Sequence, residues 1–182
     1  MYGRRHKIFK RGYRVVLLTL ALLTASAYAQ MQVGDNVSMR LNGNVGVGYS
    51  GEFGDQSSGH GMYGTGSGEL SGYYYQPNFL SFDVRPYYNR NQDNSSYTSI
   101  LSDTGLEASA DIFGGSHFPG SVAFSKAFIK GSQYGVPGLT GLNSDNSTRT
   151  FTVSWSELLP NMPTLTATFA RNASSQTIIG ED

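Results

Sequence analysis

The chain has no cysteine among its 182 residues. That excludes disulfide staples, thiol chemistry and thiolate-bound metal centres. Beyond residue 30 it also lacks any apolar run near the roughly 18 residues a membrane-crossing helix requires. No helical periodicity is sustained either, so a helical bundle is excluded. The whole chain has no net charge, with 13 Lys+Arg against 13 Asp+Glu, but the balance is uneven along it. Arg4, Arg5, Lys7, Lys10, Arg11 and Arg14 crowd the start, where no acidic residue stands. Without that segment seven basic residues remain against 13 acidic ones, a net of −6. Nucleic-acid binding needs a basic footprint and is excluded on that ground.

The basic start leads into a short apolar run at 15–23 and then Ala27-Tyr28-Ala29, small residues at the two positions a signal peptidase reads. This is the pattern of a secretory signal peptide cleaved after Ala29, which divides the chain into a leader at 1–29 and an exported region at 30–182. The run is about half the length of a spanning anchor. Arg4-Arg5 alone does not make a twin-arginine signal, because Lys7 stands where that signal wants an apolar residue. With no cysteine after the apolar run, a lipid-anchored lipoprotein is excluded.

Beyond the leader, apolar and polar residues alternate. Val37, Met39, Leu41, Val45, Val47 and Tyr49 fall on one set of positions, and Asn36, Ser38, Arg40, Asn42, Asn44 and Ser50 on the other. Successive side chains of a strand point to opposite faces, so the segment is a ribbon with one apolar and one polar side. The pattern predicts about seven strands: 36–50, 62–75, 79–90, 98–113, 121–130, 148–157 and 164–172. Leu80, Phe82, Val84 and Tyr88 alternate with Ser81, Asp83, Arg85 and Asn89; Leu106, Ala108, Ala110 and Ile112 with Asp103, Glu107, Ser109 and Asp111. Phe151, Val153 and Trp155, then Leu165, Ala167 and Phe169, repeat it between threonines and serines. The second strand keeps Thr65, Ser67, Glu69 and Ser71 on its polar side but offers mainly glycine on the other. In the fifth, Lys126 and Lys130 share a face with Val122, Phe124 and Phe128, which points to a bulge or a protein-covered segment. Pro86 removes a ladder donor and points to a bulge near the outer rim.

The connections alternate in character too. Those at 76–78, 114–120 and 158–163 are compact and carry Pro77, Pro119, Pro160 and Pro163, whereas 51–61, 91–97 and 131–147 read as longer polar loops. Short turns at one end and long loops at the other are the plan of membrane barrels, and a soluble sandwich has no reason to sort its loops. Tyr73, Tyr74, Tyr75, Phe79 and Trp155 gather near the compact turns, with Tyr49, Tyr87 and Tyr88 toward the other end, as aromatic girdles would.

On this patterning, spread over residues 36–172, the chain resembles the bacterial outer-membrane β-barrel proteins of porin-like style. The resemblance implies an antiparallel up-and-down transmembrane β-barrel sheet in the outer membrane of a diderm bacterium. Its partners would be outer-membrane lipid, the barrel-assembly machinery and small hydrophilic solutes. The chain departs from the pattern at its end, 178–182, which reads as a polar stretch rather than a closing strand with a terminal aromatic. With an odd strand count this predicts an N-terminal fragment of a larger barrel. The alternatives are a structural or adhesive surface barrel that binds through its long loops, or a secreted β-sandwich adhesin whose apolar faces cover each other.

No catalytic, metal or cofactor site is read from the residues, and the chain is not read as an enzyme. His60 and His117 both fall in predicted connections, and serines are too common for proximity to mean anything. Asn143-Ser144-Asp145-Asn146 offers oxygens in the longest loop but lacks a calcium-loop spacing. Gly64-Thr65-Gly66-Ser67-Gly68 has no strand-to-helix transition and makes no phosphate cradle. The informative set is the charged part of the polar face: Arg40, Glu69, Asp83, Arg85, Asp103, Glu107 and Asp111. In a wide barrel these would line water and set the field on solutes, favouring cations by two basic residues to five acidic. Tyr73, Tyr75 and Tyr87 share that face and could stack on sugar rings.

Overall fold

A computed structural model describes residues 20–53, 58–135, 138 and 141–181. The described residues are all-β: eight antiparallel strands form one up-and-down sheet in sequence order, not closed into a barrel. The strands are β1 (Leu20–Val33), β2 (Val37–Phe53), β3 (Ser58–Tyr74), β4 (Leu80–Asn94), β5 (Thr98–Ile112), β6 (Gly120–Tyr134), β7 (Gly141–Glu157) and β8 (Leu165–Glu181). β1 and β8 each pair with one neighbour only, which leaves two open edges.

The pairing keeps the two faces separate from strand to strand. Met39 stands opposite Gly72, Gly72 opposite Phe82, Phe82 opposite Ala110, Ala110 opposite Val122, Val122 opposite Val153 and Val153 opposite Phe169. One slip by a single residue would throw polar side chains into this row, so the alternation itself fixes register. Among the described residues no hydrophobic side chain is buried. Val45 is 60% exposed, Met62 57%, Leu165 66% and Phe169 60%, so no described residue covers the apolar face.

Every strand expected from the sequence is present, with three corrections. The first is a strand more than the seven expected, so the count is even, and β8 runs on through 178–181, where the sequence predicts a polar end rather than a strand. β1 overlies the end of the expected leader, with Ala27, Tyr28 and Ala29 paired to Gly43, Asn42 and Leu41; residues 1–19 lie outside the described residues. The second concerns the long loops. Strands extend through most of 51–61, 91–97 and 131–147, leaving connections at 54–57, 95–97 and 135–140, while those at 113–119 and 158–164 are the longest between the strands. Loop length is therefore not sorted between the ends. What differs is polarity on β4, whose end at 89–94 is polar on both faces.

Third, neither expected bulge exists. β5, β6 and β7 pair without a register shift through Lys126, opposite Leu106 and Arg149, and through Lys130, opposite Ser102 and Asp145. No described residue covers that segment. At Pro86 the β3–β4 ladder is interrupted but resumes in the same register, Ser67 opposite Tyr87 and Leu70 opposite Val84. Gly68 accommodates the ring, and a Cβ there would sit 3.4 Å from the proline Cγ. Glycine also receives aromatic rings elsewhere: Tyr63 lies over Gly48, Tyr87 over Gly105 and Trp155 over Gly120, each pair in register. Such pairs give a glycine-weakened rung packing it would otherwise lack.

The turns at one end are tied together by aromatics. Ring centroids run from Tyr74 to Phe79 at 6.1 Å, Phe79 to Phe113 at 5.5 Å and Phe113 to Trp155 at 6.3 Å. Phe113 adopts a left-handed φ of 56°, uncommon for a bulky residue. Its N–H donates to the Phe79 carbonyl at 2.9 Å, and its ring joins the chain of contacts.

Candidate functional site

The polar face carries its charges in rungs. In the register of the flanking pairs Glu69 stands opposite Arg85, and Arg85 pairs with Glu107 across β4 and β5. Arg85 Nη2 lies 3.3 Å from Glu69 Oε1, and its Nε lies 2.7 Å from Asp83 Oδ1 on the next rung. Asn42 Nδ2 donates to Glu69 Oε2 at 3.3 Å. The cluster thus spans β2, β3 and β4 where Pro86 interrupts the backbone ladder. Side chains bridge β3 and β4 at the rung where main-chain bonding stops.

Four of the seven candidate residues remain outside this cluster. Among the described residues Arg40, Asp103, Glu107 and Asp111 form no ion pair. Arg40 lies opposite Ser71, one rung from Glu69. Asp103, Glu107 and Asp111 descend one face of β5 and meet only Ile129, Ser125 and Ser121 on β6. Arg85 is committed to Asp83 and Glu69, so its charge is locally balanced. The field over β5 is acidic and uncompensated. Shallow depressions of about 220 and 330 Å³ flank Arg85 and Glu107, one toward Ser125 and Thr150, the other toward Asn42, Ser67 and Tyr87.

Two polar-face residues escaped the sequence reading. Asn42 appeared only as one polar position among many, and its bond to Glu69 depends on cross-strand register. Asp93 was expected in a loop but lies on β4 opposite Ser99, on the same face as Asp83. Its signal was the continued spacing of two from Asp83 through Arg85, Tyr87, Asn89 and Asn91.

Other expected candidates change place. His60 is in β3, not in a connection; its ring stacks on Tyr49 at 6.3 Å and meets Asn94 Nδ2 at 3.0 Å. His117 does lie in a connection, where its Nδ1 is 3.0 Å from the Leu158 carbonyl, and the Leu158 N–H donates to the His117 carbonyl at 2.7 Å. It stitches two neighbouring turns. Asn143 to Asn146 belong to β7, where consecutive side chains point to opposite faces and cannot converge on a cation. Tyr75 is in a turn with φ 66° and packs on Phe79, so only Tyr73 and Tyr87 of the three tyrosines share the polar face of the sheet.

No protein-family model, curated protein or solved structure matches the chain.

Proposed function

We propose that the protein is a non-enzymatic, porin-like part of an outer-membrane β-barrel, exported by its leader, that passes small hydrophilic solutes with a mild preference for cations. The observation that carries this reading is a single-layered sheet in which, among the described residues, no hydrophobic side chain is buried and one face is predominantly apolar from β1 to β8. In water such a face is an association surface far beyond the scattered apolar residues of soluble monomers. Hydrocarbon satisfies it directly, and strands of 14 to 17 residues exceed the roughly 9–11 needed to cross. The aromatic chain at the turn end suits one interface of a bilayer. Lipid and the barrel-assembly machinery are the partners this reading requires.

A lumen requires the edges of β1 and β8 to be closed by further strands or by each other. A closed barrel of sufficient width would turn the acidic strand β5 toward conducting water, whereas small barrels are filled by their side chains. The cross-strand cluster around Arg85 favours a second reading, a structural or adhesive barrel whose interior is occupied and whose polar strand ends bind outside. Planar-bilayer recording of the protein separates the two. Cation-selective steps are expected, and absence of current over many verified insertions would reject the channel. Recovery of the protein as a soluble monomer without detergent would reject both in favour of a secreted sandwich.

A further inference from the structure

Five of the seven basic residues beyond the leader lie on the apolar face, not the polar one: Arg90, Lys126, Lys130, Arg149 and Arg171. Four of them occupy equivalent places. On β4 the apolar series ends at Tyr88, and the next residue on that face is Arg90. On β6 Phe128 is followed by Lys130, and on β8 Phe169 by Arg171. β7 runs the other way, and there Arg149 stands one position beyond Phe151 toward the same end of the sheet. Four strands thus share one step, an aromatic followed on the same face by a cation, with only β6 placing a further aromatic, Tyr134, beyond it, and all four cations are exposed. Lys126 leans the same way, its Nζ 4.5 Å from the centroid of Phe128.

The cations also cluster across strands. Lys126 stands opposite Arg149, and Arg171 opposite Phe151, one rung away from Arg149. Directly opposed side chains in such a ladder are roughly 5 Å apart at Cβ and diagonal ones roughly 7–8 Å, which brings three positive groups within the span of one phosphorylated headgroup. From Lys130 through Arg149 to Arg171 the cations step toward the turn end. A line of constant depth crosses the register rows of tilted strands obliquely in the same manner. The acid nearest this rim is Asp145, whose pair with Lys130 at 3.9 Å is two-thirds exposed and weak. The opposite rim of the same face has Tyr74, Phe79, Phe113 and Trp155 followed by Glu157, and no cation.

From this asymmetry we infer that Lys126, Lys130, Arg149 and Arg171, with Arg90 at the flank, form a belt that binds the phosphates of anionic lipid headgroups in one leaflet only. The inference rests on the membrane reading above. The aromatic marks the edge of hydrocarbon, and the cation beyond it reaches the phosphate level, where each basic side chain is attracted to anionic lipid.

The test uses tryptophan quenching by chain-brominated lipids, with the full-length protein in phosphatidylcholine vesicles containing phosphatidic acid. Native Trp155 reports the turn-end rim, and a Phe151→Trp, Trp155→Phe protein reports the cationic rim. Phosphatidic acid is expected to be enriched roughly fivefold over phosphatidylcholine at residue 151 and not at residue 155. Adding Lys126→Gln, Arg149→Gln and Arg171→Gln should abolish the enrichment while quenching by brominated phosphatidylcholine persists. Equal preference at the two rims, or a preference that survives the glutamines, overturns the belt and leaves the membrane reading standing. Absence of quenching by brominated phosphatidylcholine at both positions overturns the membrane reading and the belt with it.

Discussion

A single arginine organises the polar face. Arg85 holds Asp83 at 2.7 Å and Glu69 at 3.3 Å, so removing its charge frees two carboxylates at once. In a conducting barrel Arg85→Gln is expected to raise cation over anion permeability. Replacing Asp103 and Asp111 with Asn and Glu107 with Gln should lower it toward unity. Reversal potentials in a salt gradient read both, and an unchanged value for the acidic set would mean that β5 does not face the conducting water. Glycines make a second prediction at this scale. A Cβ on Gly72 would collide with the Ser38 carbonyl and approach Met39 Cα to 3.2 Å, backbone atoms that cannot swing aside. Gly72→Ala should destabilise the folded protein by about 1–3 kcal/mol. Gly64→Ala, with nothing within 4 Å, should stay within about 0.5 kcal/mol. Urea unfolding in lipid vesicles distinguishes them, and equal losses would mean that the β2–β3 register is not the one described.

The strands themselves reveal where side-chain patterning stops informing. Residues 89–94 of β4 and 141–148 of β7 are polar or small on nearly every position, so alternation vanishes there and the sequence reads as loop. The ladder continues nonetheless, because backbone donors and acceptors pair with a neighbouring strand whatever the side chains are. β1 was hidden for a different reason. Ala27, Ala29, Met31 and Val33 alternate with Tyr28, Gln30 and Gln32, yet the same residues carry the small-residue spacing of a cleavage site. The two roles compete for one segment. Cleavage after Ala29 would leave only Gln30–Val33 against β2 and make β2 the working edge strand. If the leader reading holds, mass determination of the protein recovered from the producing cell should give a chain beginning at Gln30. A chain that still contains Leu20–Ala29 would show that β1 is kept and the leader reading is wrong.

At the scale of the whole molecule, the lack of a core among the described residues is the dominant fact. Eight strands with two open edges and an uncovered apolar face offer water both a pairing template and an adhesive surface. In buffer the protein is expected to associate into large species. In detergent micelles or vesicles it should retain β-structure as a dispersed species. Sedimentation with circular dichroism measures both, and a stable monomer in plain buffer would require that the apolar face be covered in solution.

Apolar–polar alternation in the sequence was enough to determine the all-β class, the two faces and the turn-end boundaries of the strands. These depend on a period of two, which one chain position after another either keeps or breaks. Cross-strand relations were decided only in the folded sheet. Asn42 meets Glu69, Arg85 is shared between Asp83 and Glu69, and Arg149 stands beside Lys126, although these partners lie far apart along the chain except for Asp83 and Arg85. Register is set by the sum of many rungs, so no local stretch of sequence states it. Pro86 and the paired lysines of β6 make the same point, since each reads as a break in isolation. Neither shifts the register: Gly68 of the neighbouring strand stands opposite the proline ring, and Lys126 bends over Phe128 of its own strand.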